Sequence, residues 1–202
     1  MKDTIYEIFP TAIYKTNINR SLSIQERKII DINYKKLNNN FGNKTSKNTN
    51  ILEEKFLKNI KNFILKSLNK YYRNVLKVKN CKPFITNSWL NFTGKNQWHH
   101  QHNHSNSYVS GVLYLNVVKE IDHIVFHKND YLMFNFNTLE NSPYNTNIWK
   151  INVDNGDLVL FPSNLQHDVP FREHDSIRIS LAFNSYFKGT VGKDFKLNKL
   201  TI

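Results

Sequence analysis

The spacing of apolar residues along the first part of the chain is that of helices. Ser23 stands directly before Ile24 and has Glu26 three places on, which is the pattern of a capped helix start, and we expect this helix to run to about Leu37. A second helix is predicted over residues 51–76, because its apolar side chains recur every three or four positions. They are Leu52, Phe56, Ile60, Phe63, Ile64, Leu68, Tyr71 and Val75. Such a stripe must pack on another layer of the protein.

From residue 83 onward the pattern changes to short runs of β-branched and aromatic residues separated by turn residues. The predicted strands are Phe84–Phe92, Trp98–His102, Tyr108–Val117, Ile124–Phe126, Tyr131–Phe136, Asn147–Val153, Asp157–Phe161 and Ile177–Phe187. Residues 5–17 predict an edge strand or two, 38–50 a mobile polar loop, and 137–146 a further loop. About eight short strands with no helical pattern between them predict a sandwich or a barrel.

The length of 202 residues suits a single domain of ordinary size. Within it we expect an N-terminal strand and supporting helices over residues 1–80, a β core over 84–187 and a basic tail over 188–202. One cysteine, Cys81, excludes an internal disulfide framework and fits a reducing compartment. No apolar stretch is long enough for a membrane span, and the first residues lack the pattern of a signal peptide. We therefore expect a soluble, cytoplasmic protein that does not associate with membranes.

The formal net charge is +12, which is compatible with a nucleic acid or another polyanion as partner. However, the lysines are dispersed along the chain, and asparagine, lysine and isoleucine are all heavily used. That usage is typical of an AT-rich coding sequence, and we favour it as the origin of the charge.

Histidines are concentrated in one short stretch of the chain. Four of the eight lie between residues 99 and 104. If the strand there continues, His100, His102 and His104 share one face, because residues two apart on a strand point the same way. Imidazoles on one face can reach a common metal ion at about 2.0–2.1 Å each. A further histidine, His167, follows the segment 156–162 downstream. Alternatively, the histidine-rich stretch is a polar surface loop and His167 is structural.

The strand predicted near the end of the chain places polar residues on one of its faces. Its apolar residues are Ile177, Ile179, Leu181 and Phe183, which suit packing against the 51–76 helix. Arg178 and Ser180 then face the interior, and a buried guanidinium needs an anion. A ligand carboxylate or phosphate is one candidate partner. Pairing of Arg178 with Asp175 or Glu173 at the surface is the other interpretation.

Three ordered segments of the chain resemble a known family. Residues 102–114 are similar to the signature His-x-His-Pro-x-Ser-x-x-Ser-Gly-Val-Tyr-Tyr of one branch of the 2-oxoglutarate/Fe(II)-dependent dioxygenase superfamily. Residues 156–167 resemble its Gly-x-Leu-x-Leu-Phe-Pro-Ser-x-Leu-x-His segment, and 178–184 its Arg-Ile-Ser-x-x-Phe-Asn segment. Trp89-Leu90-Asn91 resembles an upstream strand motif, so that the resemblance covers about residues 84–187.

The resemblance implies a mainly β fold of the α+β kind, with a double-stranded β-helix (jelly-roll) core and N-terminal helices packed on one sheet. It further implies Fe(II) as metal and 2-oxoglutarate as cosubstrate, with His102 and His167 as iron ligands. Arg178 and Ser180 are implied to bind the distal carboxylate of 2-oxoglutarate. The weaker candidates for contacts with this cosubstrate are Tyr114 and Asn91.

Position 104 departs from the superfamily pattern. The metal-binding triad usually reads His-x-Asp or His-x-Glu, whereas His104 stands in the place of the carboxylate. Either His104 is the third ligand, or a carboxylate comes from elsewhere, or metal binding is altered; His100 is a further substitute. A neutral third ligand leaves the site one unit more positive.

The function implied by the resemblance is that of an oxygenase that uses 2-oxoglutarate and O₂ and hydroxylates a C–H bond with release of succinate and CO₂. One alternative is an inactive, cupin-like binding or structural module, which the missing carboxylate favours. Another is a basic nucleic-acid-binding protein, which only the charge favours. The prime substrate and the oligomeric state are not indicated, although the basic surface mildly favours an anionic or macromolecular substrate.

Overall fold

The computed structural model describes residues 3–128, 134 and 137–202. Its strands are β1 (Tyr14–Asn17), β2 (Leu37–Asn39), β3 (Lys44–Ser46), β4 (Cys81–Thr93), β5 (Gln97–His102), β6 (Val109–Asn116), β7 (His123–His127), β8 (Ile148–Asn152), β9 (Asp157–Pro162), β10 (His167–Arg172), β11 (Arg178–Val191) and β12 (Leu200–Thr201). Its α-helices are α1 (Ile24–Tyr34) and α2 (Lys58–Lys70). The strand predicted at Tyr131–Phe136 falls, apart from Phe134, outside the described residues.

The strands form two sheets that face each other. The larger sheet has the order β1-β9-β6-β11-β4-β3-β2, with β12 paired to the far end of β11, and the smaller has the order β5-β10-β7-β8. Both consist of antiparallel pairs, and the chain crosses repeatedly from one sheet to the other between β4 and β11. This is the jelly-roll core with supporting helices that the sequence predicts.

The helices cover the outer face of the larger sheet. Ile60, Ile64 and Leu68 of α2 are fully buried and belong to the same apolar cluster as Leu181 and Phe183 of β11. The apolar stripe of the helix and the apolar face of the last long strand are thus partners, as expected from their periods. No helix in the described part of the chain has the length and apolar character of a membrane span.

The second helix is shorter than the sequence predicts. Residues 51–53 and 55–57 form separate single turns, because Glu54 between them has an extended backbone with φ −61° and ψ 127°. The N–H of Leu52 donates instead to Ser88 Oγ of β4 at 3.0 Å, which anchors this segment to the sheet. Phe56, in the second of these turns, is 50% exposed. At the other end, Tyr71–Val75 forms a π-helical turn in which Val75 is 37% exposed, so neither residue belongs to the buried stripe.

The predicted loop at 38–50 is wrong, because much of it is a β-hairpin. Strands β2 and β3 pair with each other, and β3 adds to the edge of β4 with Thr45 opposite Asn91. Residues 40–43, here called the hairpin tip, lie against the start of β5, where Trp98 N donates to Gly42 O at 3.1 Å. Gly42 has φ +95°, and a Cβ there would lie 2.6 Å from the Trp98 carbonyl oxygen, so the position requires glycine.

Strand β10 has no counterpart among the predicted strands. Its six residues include Pro170 in the middle and His167, Asp168 and Arg172 at the ends, and a proline usually argues against an inner strand. The structure accommodates Pro170 within a register irregularity between Val169 and Arg172, where the ladder to β5 is interrupted. At the ends of the chain, β1 occupies only residues 14–17 of the predicted 5–17, and β11 extends to Val191.

The start of α1 offers a test of stability against pH. Glu26 Oε2 accepts from Ser23 N at 2.7 Å, Ser23 Oγ accepts from Glu26 N at 3.2 Å, and Arg20 donates to both carboxylate oxygens at 2.6 and 2.7 Å. The pKa of Glu26 is lowered, chiefly by the hydrogen bond from Arg20. A lowered folded-state pKa means that this stabilisation is complete above the unfolded value of 4.5 and is lost as the pH falls through the folded value.

We expect Glu26→Gln to lower the free energy of unfolding by about 1–3 kcal/mol at neutral pH, and by much less in acid. Denaturant unfolding of the wild type and the variant at both pH values measures this. Glu53→Gln is the matched control, because Glu53 is 66% exposed in its pair with Lys61 and should contribute less than about 0.5 kcal/mol. A loss for Glu26→Gln that is equal at both pH values would contradict the ionic origin of the effect.

Candidate active site

Three histidines meet at one end of the barrel. His102 is the last residue of β5, His104 lies in the loop that follows, and His167 begins β10 directly opposite His102. Each offers one ligand atom, and these atoms lie within 4.8 Å of one another. The loop that carries His104 is fixed to the sheet, because His104 N donates to Ser163 O at 2.8 Å. The topology therefore gathers residues that are 65 positions apart in the sequence.

Hydrogen bonds to backbone carbonyls set the protonation of two of these rings. Nδ1 of His102 donates to His100 O at 2.7 Å, and Nδ1 of His167 donates to Leu165 O at 3.0 Å. A carbonyl oxygen only accepts, so Nδ1 carries the proton and Nε2 keeps its lone pair in both rings. Nε2 of His104 lies 3.3 Å from Nε2 of His167, a spacing that suits two ligands of one divalent ion at about 2.1 Å each. The donor set therefore fits a metal.

Burial keeps these imidazoles neutral. It lowers the pKa of His167 to about 2 and that of His104 to about 4, in each case with a further contribution from the neighbouring His102. The pKa of His102 is also lowered, again mainly by burial. A neutral imidazole is the form that binds metal, so no proton has to be displaced at neutral pH.

A β-bulge decides which histidines of β5 face the site. His167 pairs with His102 and Val169 pairs with His99, so the two intervening residues of β5 oppose the single intervening residue of β10. As a result His99 and His102 line the same cavity with stacked rings, 4.5 Å between centroids. His100 lies outside that cavity lining, with Nδ1 3.3 Å from Phe41 O. The expectation that His100, His102 and His104 share a strand face is therefore wrong, and His99 was missed, since simple alternation gives no signal for a bulge.

Among the described residues, no carboxylate joins the three histidines. Asp168 lines the cavity, but its carboxylate pairs with His127 Nε2 at 2.5 Å. Nothing in the described part of the chain supplies the acidic ligand that the usual triad contains.

Four polar side chains brace the loop that carries His104. Ser163 Oγ lies 2.7 Å from Ser107 Oγ and 2.8 Å from Ser110 Oγ, and Ser110 in turn donates to Asn184 Oδ1 at 2.9 Å. This network joins the start of β6 and the end of β9 to the middle of β11, at the point where Ser163 O holds the backbone of His104. All four are positions of the sequence motifs quoted above.

Two buried arginines lie further along the barrel, and their surroundings differ. Arg172 uses all its N–H groups: it bonds Asp122 through Nε (3.0 Å) and Nη2, and it also donates to Ser176 and to His174 O. Arg178 is 3% exposed, yet its guanidinium makes one hydrogen bond, from Nη1 to His123 O at 3.0 Å, and has no acidic partner among the described residues.

The proposed surface pairing of Arg178 is thereby excluded for Asp175, which bonds Lys95 at 2.8 Å instead. Glu173 likewise forms no ion pair with Arg178. Arg172, which the sequence reasoning did not single out, is a structural residue that neutralises the buried Asp122. Arg178 thus forms no ion pair with any described residue, although its guanidinium lies over the Tyr114 ring, 5.2 Å from the centroid. A buried guanidinium without a direct ionic partner is costly unless an anion binds there.

A row of polar side chains crosses three strands beside Arg178. Ser180 of β11 lies opposite Asn91 of β4 and opposite Tyr114 of β6. Within the described part of the protein, Asn91 Oδ1 and the Tyr114 hydroxyl are buried without a hydrogen-bond partner. Burial raises the pKa of Tyr114 to about 12, so this hydroxyl keeps its proton and can donate. Buried polar atoms left free in this way indicate a bound group.

One cavity connects these features. Its lining includes the three clustered histidines, His99, Arg178, Ser180, Tyr114 and Asn91. Imidazoles at one part of the cavity and a guanidinium without an ion-pair partner at another suit the class of metal-dependent enzymes that bind a small dicarboxylate beside the metal.

Comparison with known proteins agrees with this class. Residues 87–184 match the family model described as "Putative 2OG-Fe(II) oxygenase". This segment, which carries the whole candidate site, belongs to the 2-oxoglutarate/Fe(II)-dependent oxygenases, enzymes whose metal is Fe(II) and whose cosubstrate is 2-oxoglutarate. The resemblance to this superfamily noted in the sequence is therefore confirmed. Among curated proteins, no sequence matches the chain.

Solved structures share the fold at low sequence identity. An oxidoreductase of the 2OG-Fe(II) oxygenase family from Burkholderia pseudomallei is 11% identical with a TM-score of 0.59, over 86% of this chain and 84% of that one. HygX from Streptomyces hygroscopicus, solved with nickel and 2-oxoglutarate bound, is 12% identical with a TM-score of 0.58 over 87% and 82%. A prolyl-4-hydroxylase from Pseudomonas putida is 13% identical with a TM-score of 0.56 over 88% and 92%.

Proposed function

We propose that this enzyme hydroxylates a C–H bond of a prime substrate. In the balanced reaction, the substrate R–H, 2-oxoglutarate and O₂ give R–OH, succinate and CO₂. The observation that carries the proposal is the single cavity that joins three neutral imidazoles to an unpaired, buried guanidinium. Fe(II), when bound, supplies the chemistry that couples O₂ reduction to the oxidative decarboxylation of the cosubstrate.

His102, His104 and His167 are the proposed metal ligands. All three are neutral and clustered, and for His102 and His167 the backbone hydrogen bond at Nδ1 leaves Nε2 free. A site of three neutral ligands is one unit more positive than a site with two histidines and a carboxylate. This extra charge favours anionic ligands, among them the oxo-acid group of the cosubstrate.

Arg178 is proposed to bind the distal carboxylate of 2-oxoglutarate. Its unused N–H groups form a planar fork that matches a carboxylate, and the cavity gives access to them. Ser180, Tyr114 and Asn91 lie in one row beside it and offer further polar contacts. The role of these residues is to orient the cosubstrate and to exclude water from its charged end.

The prime substrate is proposed to be anionic or macromolecular, which the net charge of +12 supports. A cytoplasmic location is proposed on the basis of the single, free Cys81. The second candidate function is a catalytically inactive, cupin-like binding module. The specific observation in its favour is the lack of a carboxylate in the histidine cluster of the described residues.

Anaerobic titration with Fe(II) and 2-oxoglutarate separates the two functions. We expect a weak visible metal-to-ligand charge-transfer band when the cosubstrate binds to the iron-loaded protein. On admission of O₂, the band should fade and succinate should form in an amount that matches the 2-oxoglutarate consumed. Iron binding without the band or the succinate would instead support the binding module.

A further inference from the structure

A fourth histidine lines the cavity between the metal cluster and Arg178. The bulge in β5 turns His99 inward, so that its ring stacks on that of His102 with an interplanar angle of 23°. His99 pairs with Val169, which lies two residues after His167 on β10 and lines the cavity as well. His99 therefore lies farther from the histidine cluster than His102 does, toward the end of β10 that lies near Arg178.

The hairpin tip fixes the orientation of this ring through a directed chain of hydrogen bonds. Asn43 Nδ2 donates to Thr93 Oγ1 at 3.4 Å, and Asn40 Nδ2 donates to Asn43 Oδ1 at 2.8 Å. The second hydrogen of Asn40 Nδ2 points to Nε2 of His99 at 3.2 Å. Asn43 is 4% exposed and Thr93 is 2% exposed, and Thr93 lies directly opposite Arg178 in the sheet, so the chain is anchored in the core.

The direction of this chain sets the tautomer of His99. Because Asn40 donates to Nε2, that nitrogen is an acceptor, and in a neutral ring the proton resides on Nδ1. This Nδ1–H has no hydrogen-bond partner within the described part of the chain, whereas Nδ1 of both His102 and His167 has a backbone partner. Nδ1 of His99 is therefore an N–H donor that can bond only to a bound ligand or solvent.

A cosubstrate that spans from the histidine cluster to Arg178 would pass along His99. We propose that His99 is a further cosubstrate-binding residue, whose Nδ1–H donates to an oxygen of the bound 2-oxo acid while Asn40 holds the ring. This inference rests on the proposed function and deepens it. It assigns the hairpin tip the task of completing the wall of the cosubstrate site on the side of β5.

The test compares binding of Mn(II) and of 2-oxoglutarate by anaerobic calorimetry. His99→Phe keeps a planar ring but removes the donor, and we expect it to weaken 2-oxoglutarate binding to the Mn(II)-loaded protein about tenfold, as for loss of one hydrogen bond to a charged group. The affinity for Mn(II) itself should stay within about twofold, since His99 is not in the ligand cluster. His99→Gln, whose amide N–H can donate, should recover part of the loss.

His174→Phe is the matched control, because His174 is an exposed histidine on the loop before β11, and it should leave both affinities unchanged. Equal 2-oxoglutarate affinity in the wild type and His99→Phe would overturn the inference while the proposed function stood. A parallel loss of Mn(II) affinity would also overturn it, because His99 would then act only through His102. Failure of the wild type to bind 2-oxoglutarate at all would instead remove the proposed function and this inference together.

Discussion

Replacement of His167 by alanine is expected to abolish metal binding, with a loss of affinity of more than about 100-fold, since removal of supporting groups around a ligand alone costs roughly 10–100-fold. His167 is 5% exposed and lies opposite His102 in the sheet, so His102 cannot shift to replace it without breaking the β5–β10 pairing, and the backbone of His104 is held by Ser163 O. Titration with Fe(II) or Co(II) under anaerobic conditions, together with metal analysis of the purified protein, gives the measurement.

The control for this change is His100→Ala. The His100 ring lies outside the cluster, and alanine keeps the backbone carbonyl that accepts from His102 Nδ1, so metal affinity should be unchanged. His104→Ala, measured in parallel, decides between a three-histidine site and a site in which His104 is a bystander. Wild-type metal occupancy in His167→Ala would exclude its role as a ligand, whereas loss of metal in His100→Ala would mean that His100 takes part.

Replacement of Arg178 by methionine should separate cosubstrate binding from stability. We expect binding of 2-oxoglutarate to weaken about 100-fold, which corresponds to about 2.7 kcal/mol, because a charge-assisted carboxylate contact is lost. Metal affinity should change little. The variant without cosubstrate should be as stable as the wild type or more stable, because Arg178 has no acidic partner among the described residues and its buried charge is costly there.

Arg172→Met is the matched comparison for Arg178→Met. Both arginines are buried, at 4% and 3% exposure, but Arg172 compensates Asp122. Its removal leaves an unpaired carboxylate in the core and should lower the free energy of unfolding by about 3–5 kcal/mol. Denaturant unfolding and 2-oxoglutarate titration of both variants measure the two effects. If Arg178→Met bound 2-oxoglutarate as the wild type does, the assignment of Arg178 to the distal carboxylate would be wrong.

The fold and much of the candidate site follow from patterns that are local in the sequence. The alternation along 177–184 places Leu181 and Phe183 toward the helices and Arg178 and Ser180 toward the interior, and the structure has them there. The same holds for the capped start of α1 and for the main apolar stripe of α2. These features are set by the geometry of a single element, so the period of the side chains is sufficient to predict them.

Other parts of the site depend on which strands lie side by side. The bulge in β5 exists only in relation to the register of β10, and it exchanges His100 for His99 on the cavity wall. Two further elements form because neighbouring strands supply hydrogen bonds, although no local apolar pattern predicts them. They are strand β10, where Pro170 lies in a register irregularity, and the polar hairpin β2–β3. The structure is likewise needed to show that Arg178 has unused N–H donors, whereas every N–H group of Arg172 forms a hydrogen bond.

The sequence by itself indicated a sandwich or barrel covered by helices, because periodicity is a property of neighbouring residues. Its short motifs, through the family they resemble, narrowed this to a jelly roll and supplied the residues of a candidate metal and dicarboxylate site. Only the tertiary structure decided that His102, His104 and His167 converge, that no described carboxylate joins them, and that His99 faces the cavity. Those outcomes depend on strand register and burial, which arise from pairing between segments far apart in the chain.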